Sequence, residues 1–123
     1  MPNQPDAVLI EGAWRMESYI RDGEAQALTG VLLMTAGRWS TLYFIPQAGA
    51  NDYWGSAEAG RYEMKDDQLT FHHEFTFQGG GSKERLIDLA STTVEACRIV
   101  WTPETLEIYF PSGNEIACRR YPE

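Results

Sequence analysis

The chain predicts an all-β protein: a single up-and-down antiparallel β-barrel of about eight to nine strands, with a short N-terminal helical turn. Three observations carry that expectation. Residues 60–77, GRYEMKDDQLTFHHEFTF, alternate apolar and polar on both sides of Asp66-Asp67. A tight turn there pairs Met64 with Leu69, Tyr62 with Phe71 and Gly60 with His73 on one face. It puts Glu63 opposite Thr70 and Arg61 opposite His72 on the other. Hairpins of the same kind flank this one, most with one consistently apolar face. Finally, so many short strands in succession need two packed sheets or one closed sheet, and closure removes the exposed edges. An eight-stranded barrel has a bore that side chains fill, or that holds one small ligand.

The elements follow in order. Residues 1–7 carry two prolines and no period, and read as a loose arm of a single domain spanning 1–123. Asp6 to Glu11 suits one helical turn capped by Asp6. From Ala13 to Arg21 the pattern alternates, with Trp14, Met16, Ser18 and Ile20 on one face and Arg15, Glu17, Tyr19 and Arg21 on the other. Asp22-Gly23 is a turn signal. Gly30 to Ile45 forms a hairpin about Ala36-Gly37. Leu32, Met34, Trp39, Thr41 and Tyr43 share one face, and Val31, Leu33, Ser40, Leu42 and Phe44 the other. With both faces apolar, either something covers the outside or this surface meets another subunit. Pro46 to Ala59 reads as a long loop over one end of the sheet, with Tyr53 and Trp54 embedded. Gly79 to Gly81 breaks the central hairpin, and Ser82 to Ala90 fits a helix or a strand equally. Glu95–Trp101 and Leu106–Phe110 pair Trp101 with Leu106 and Ile99 with Ile108, and a last strand runs from Glu115 to Tyr121.

Composition narrows the function classes. A hydrophobic content of 43% with 12% aromatics is that of a folded chain. The net charge of −8 repels nucleic acid and anionic membranes, so neither is an expected partner. No apolar run reaches the roughly 20 residues that span a bilayer, and no basic start leads into an apolar stretch. A cytoplasmic location is expected. Cys97 and Cys118 fall on strands separated by a third, roughly 9–10 Å apart. A disulfide tolerates about 7 Å between Cα atoms, so both are expected to be free, buried thiols.

At Gly12-Ala13-Trp14 the sequence resembles the calycin barrels, in which Gly-x-Trp opens the first strand after a helical turn. Over GAWRMESY, GVLLMTAGRWS, GSAEAGRYE and LEIYFPSGNEIACRR it is similar to the bacterial and fungal lipocalin-like domain family. The resemblance implies that Trp14 packs across the closed end of the barrel against an arginine near the last strand. Parity selects Arg120, which shares a face with Ile116 and Cys118, over Arg119. The pair is a structural clamp. The chain is shorter than classical lipocalins, has no secretion signal, and carries Asn51-Asp52-Tyr53 between the wrong strands for their second motif.

His73 is the candidate for chemistry, because parity sets it among Tyr62, Phe71, Phe75 and Phe77. Desolvation in an apolar cavity lowers an imidazole pKa and would suit a general base; a core histidine bonded to backbone or water is the competing interpretation. Tyr62, or Tyr43, could donate to a carbonyl or enolate. Met34, Trp39, Tyr43, Tyr62, Phe71, His73, Phe75, Ile99 and Ile108 form the expected ligand-facing set. His72 and Glu74 lie outside beside Arg61, and with no third histidine a metal site is not expected. No phosphate loop, dinucleotide fingerprint or serine-nucleophile motif is present, and no cofactor is expected. Three functions remain. The first is a barrel binding a small hydrophobic molecule. The second is a cofactor-free isomerase or cyclase using the same cavity on a biosynthetic intermediate, which the resemblance permits. The third is a homodimeric interaction domain joined through Val31, Leu33, Leu42 and Phe44.

Overall fold

The computed structural model describes residues 9–46, 53–80 and 83–122. Ten strands run in chain order: β1 Gly12–Arg21, β2 Glu24–Gln26, β3 Thr29–Thr35, β4 Arg38–Pro46, β5 Tyr53–Lys65, β6 Gln68–Gly80, β7 Lys83–Asp88, β8 Val94–Trp101, β9 Thr105–Tyr109 and β10 Glu115–Arg120. Their order is β10-β9-β8-β6-β5-β4-β3-β1, and β10 pairs back onto β1, so eight of them close a barrel. β2 continues the wall beside the end of β1, and β7 does so beside the end of β6. All pairings are antiparallel. The expected N-terminal arm, Asp6 with most of its helical turn, Asn51, Asp52, Gly81 and Ser82 lie outside the described residues.

Local alternation sets the registers. Met64 pairs with Leu69, Tyr62 with Phe71 and Gly60 with His73; Met34 pairs with Trp39 across Ala36-Gly37; Ile99 pairs with Ile108. Asp22 (φ 53°) and Gly23 (φ 80°), like Ala36 (φ 50°) and Gly37 (φ 81°), take the left-handed backbone that two-residue hairpins need to match strand twist.

Two bulges break the expected alternation. In β1, Met16 faces Cys118 but Ser18 faces Ala117, which leaves Glu17 as the extra residue. Beyond it the inward face changes: Tyr19 turns in, and Ser18 becomes exposed. In β6, His73 faces Gly60 but Phe75 faces Ala59, so Glu74 is the extra residue. Phe75 and Phe77, expected inside, therefore point outward at 46% and 49% exposure, while Thr76 and Gln78 turn into the bore. The expected long loop at 46–59 is mostly strand, because β4 runs through Pro46 and β5 starts at Tyr53. Trp54 is not embedded in a loop but held in the ladder, opposite Ile45 on one side and Gly80 on the other. The ambiguous 82–90 stretch contributes strand β7, and Gly79 and Gly80 belong to β6.

One end of the barrel is solid. Ile10, Trp14, Met34, Leu69, Cys97 and Leu106 are wholly buried there, with Tyr62, Ile99 and Cys118. The Arg120 guanidinium lies 4.1 Å over the Trp14 ring. It donates to the Pro103 carbonyl and to the Glu11 carbonyl, each at 2.7 Å, and also to the Leu9 carbonyl. The indole Nε1 donates to the Ile10 carbonyl at 2.8 Å. One side chain thus ties three segments over this end. Gly12 has φ +125°, and a Cβ there would meet Arg120 Nη1 at 2.7 Å. The first glycine of Gly-x-Trp is therefore required by the arginine's position as well as by the backbone.

Cys97 and Cys118 are free and buried, with β9 between their strands. The outer wall is apolar over five strands. Val31, Leu42, Ala57, Phe77 and Ile87 form one cross-strand row, flanked by Leu33, Phe44 and Phe75. No helix among the described residues is long and apolar enough to cross a membrane.

Candidate functional site

The other end of the barrel holds a cavity of about 340 Å³. Its position follows from the inward rows: Trp39, Thr41 and Tyr43 from β4, Glu58 from β5, and Phe71, His73, Thr76 and Gln78 from β6. Met16 and Tyr19 close one side, and Ile108, Phe110 and Ile116 another. Trp39 meets Phe71 edge-on, with centroids 5.0 Å apart at 70°. Phe71 stacks on Phe110 at 6.4 Å. The aromatic walls therefore come from strands that are not adjacent in the sheet: β5 lies between β4 and β6, and β8 between β6 and β9.

His73 stands at the centre of the polar groups. Its Nε2 lies 2.7 Å from Glu95 Oε1, and its side chain is 9% exposed. An ionised carboxylate only accepts, so Nε2 carries the hydrogen and Nδ1 is the atom that titrates. The Trp39 ring presses edge-on against the imidazole at 4.9 Å and 78°, and the His73 amide donates to the Thr93 carbonyl at 2.9 Å. Burial works to lower the His73 pKa. The Glu95 hydrogen bond and the charges of Glu95 and Glu58 outweigh it, so the net shift is upward from 6.5. The expected fall is thereby corrected: the imidazole sits between carboxylates and is not surrounded by apolar groups alone.

Glu58 pairs across the ladder with Thr76. Desolvation raises its pKa, against the opposing charge of His73 and with the reinforcing charge of Glu95. Gln78 Nε2 donates to Glu58 Oε2 and to Ser56 Oγ, both at 3.4 Å. Burial also pushes the Tyr43 hydroxyl up, helped by the Glu58 charge, so the phenol stays protonated as a donor. The hydroxyl oxygen of Thr41 is buried, and among the described residues it is the one such side-chain atom without a hydrogen-bond partner.

Of the expected ligand-facing residues, Trp39, Tyr43, Phe71, His73 and Ile108 line this cavity. Met34, Tyr62 and Ile99 point inward but belong to the packed end, which separates Tyr62 from the chemistry expected of it. Phe75 is on the outside because of the bulge at Glu74. Glu58 and Glu95 were missed, although parity carried both. Glu95 shares a face with Cys97 and Ile99, and Glu58 shares one with Gly60 and Tyr62. Reading 46–59 as a loop hid Glu58. Tyr19 had no such signal, because its orientation depends on the bulge at Glu17. The outward His72 bonds Glu63 at 2.7 Å, away from the bore. Burial pushes both cysteine thiols up to about 12, which leaves them inert at neutral pH. Among the described residues no group of three His, Cys, Asp or Glu side chains is arranged to hold a metal ion.

The geometry sets a first prediction. The His73 imidazole is expected to titrate above 6.5 by NMR, and Glu95→Gln should move that titration down. A raised histidine pKa adds stability that is complete below the unfolded value and is lost as pH rises through the folded one. The barrel should therefore weaken on that limb, and less so in Glu95→Gln. A titration below the unperturbed value would contradict the assigned contact.

Fold and site together define a closed antiparallel β-barrel whose open half is an aromatic cavity containing a half-buried histidine–glutamate pair and a second glutamate held by neutral donors. No family model matches the chain, and no curated protein matches it.

Proposed function

We propose that the barrel binds one small, largely apolar molecule in the cavity between Trp39, Phe71 and Phe110, as a lipocalin-like domain of the cytoplasm. The observation that carries this is the division of the bore: one end is solidly packed, whereas the other leaves about 340 Å³ among aromatic walls. A space of that size suits a compact ligand of one or two rings. Two cysteines kept apart as thiols suit a reducing compartment. Native mass spectrometry of the purified protein is the test. One small molecule per barrel is expected, either carried through purification or taken up from a set of bicyclic apolar compounds. Trp39→Ala should weaken uptake about tenfold or more, the loss of a large aromatic contact. A barrel that stays empty throughout would end this proposal.

The histidine–glutamate pair favours a second reading, an isomerase or cyclase acting on the bound molecule. Neutral His73 would take a proton, and Glu58, held towards its protonated form by burial, would return one. The rate would then rise with pH through a single group above 6.5 and fall by roughly a hundredfold or more in His73→Ala. A rate indifferent to His73 leaves binding alone. The apolar outer row supports a homodimer joined through β3 to β7, since monomers rarely expose so broad an apolar face. Sedimentation as a monomer at micromolar concentration would dismiss it.

A further inference from the structure

We infer that the cavity selects cationic ligands: a primary or secondary ammonium on a flat apolar body, with the charge seated among Glu58, Glu95 and His73. The inference deepens the binding function proposed above and rests on it.

The charges of the lining point one way. Among the described residues, the ionisable side chains facing the cavity are Tyr19 from β1, Tyr43 from β4, Glu58 from β5, His73 from β6, Asp88 from β7 and Glu95 from β8. No lysine or arginine is among them. Arg21, at the end of β1, acts on Tyr19 and Tyr43 from the rim. The histidine, the one lining group of these that can carry a positive charge, is already engaged by Glu95 at 2.7 Å. Glu58 is left with neutral donors, the Gln78 amide at 3.4 Å and the Ser56 hydroxyl. Within the described lining only His73 opposes the Glu58 charge, and it is already bonded to Glu95; an incoming ammonium gives Glu58 a cation of its own and favours its ionised form.

A second observation is independent of the acids: Trp39 and Tyr43 stand on one inward row of the cavity, beside Glu58 on the next strand. The faces of Trp39 and Tyr43 attract a cation as well. A carboxylate ligand would meet repulsion from Glu58, Glu95 and Asp88 and find no guanidinium or ammonium in the described lining to receive it.

Three matched probes test this by calorimetry at pH ~7.5, where the free naphthoate is ionised and the free alkylammonium is protonated: 2-naphthylmethylammonium, 2-naphthylmethanol and 2-naphthoate. The amine is expected to bind about tenfold or more tightly than the alcohol, the worth of a single charge-assisted hydrogen bond, and the carboxylate least of all. Glu58→Gln and Glu95→Gln should each pull the amine-to-alcohol ratio towards one. Glu63→Gln, on the outer face with His72, should leave the ratio unchanged. If the alcohol or the carboxylate binds as tightly as the amine, charge selection is wrong and the cavity remains an apolar site. If none of the three binds, the binding function itself fails and this inference with it.

Discussion

Replacing Trp14 by Ala is expected to destabilise the barrel by about 3–5 kcal/mol, the range for deleting a fully buried large aromatic side chain. The indole is wholly buried, donates to the Ile10 carbonyl at 2.8 Å, and carries the Arg120 guanidinium at 4.1 Å on its face. Truncation therefore opens a cavity, removes a buried hydrogen bond and leaves the arginine without its platform. Because Arg120 also holds carbonyls at Leu9, Glu11 and Pro103, the damage should spread to the closure between β1 and β10. Urea unfolding measures the loss directly. Trp14→Phe, which keeps most of the volume but not the N–H, should lose less than half as much. Equal losses from the two variants would mean that volume is not the main term; a loss below about 1 kcal/mol would be that of an ordinary surface site.

Gly60→Ala is the second large effect. A Cβ built on Gly60 would lie 1.8 Å from the His72 carbonyl oxygen and 3.1 Å from Trp39 Nε1. The first of these is backbone in the neighbouring strand, so no side-chain rotation relieves it. Overpacking in a core costs about 1–3 kcal/mol, and a backbone clash should reach or exceed the top of that range. The site would feel it too. Gly60 pairs with His73 at the edge of the Glu74 bulge, so separating β5 from β6 there moves the imidazole away from Glu95. The expected result is a lower unfolding midpoint together with a His73 titration displaced from its wild-type value. Ala59→Ser, one residue earlier and outward, should change stability by less than about 0.5 kcal/mol. A Gly60→Ala barrel as stable as wild type would rule out so close an approach of the two strands.

The His73 titration and the probe series test the site, whereas these two variants test the frame that positions it. The two sets of results separate. A barrel that loses stability in Gly60→Ala but shows no preference for the amine has the fold described here and a cavity of different chemistry. Loss of amine preference in Glu95→Gln without loss of stability would place the effect in the charges lining the bore.

How much of this was legible in the residues differs by element. The hairpins about Ala36-Gly37 and Asp66-Asp67 could be read to the residue, because alternation with period two and a tight turn leave one register that keeps charge out of the core. The same alternation marked Leu32, Met34, Trp39, Tyr62 and Phe71 as interior, and all are buried. The inward direction of Glu95 was equally legible by parity. Its partner was not, since an acid more than twenty residues along the chain carries no local sign of which histidine it will meet.

By itself, the sequence determined an all-β chain of tight hairpins, the inward rows on either side of each turn, and the presence of one histidine on an apolar face. Those are local properties, set within a few residues by side-chain period and turn chemistry. Tertiary structure alone decided where alternation fails and which rows meet. The bulges at Glu17 and Glu74 exist only relative to the strands paired beside them, yet each reverses every side chain beyond it. They carry Tyr19, Thr76 and Gln78 into the cavity and send Phe75 and Phe77 out of it. Likewise Glu58, His73 and Glu95 come from three strands, and only the lateral order β8-β6-β5 brings their carboxylates and imidazole together.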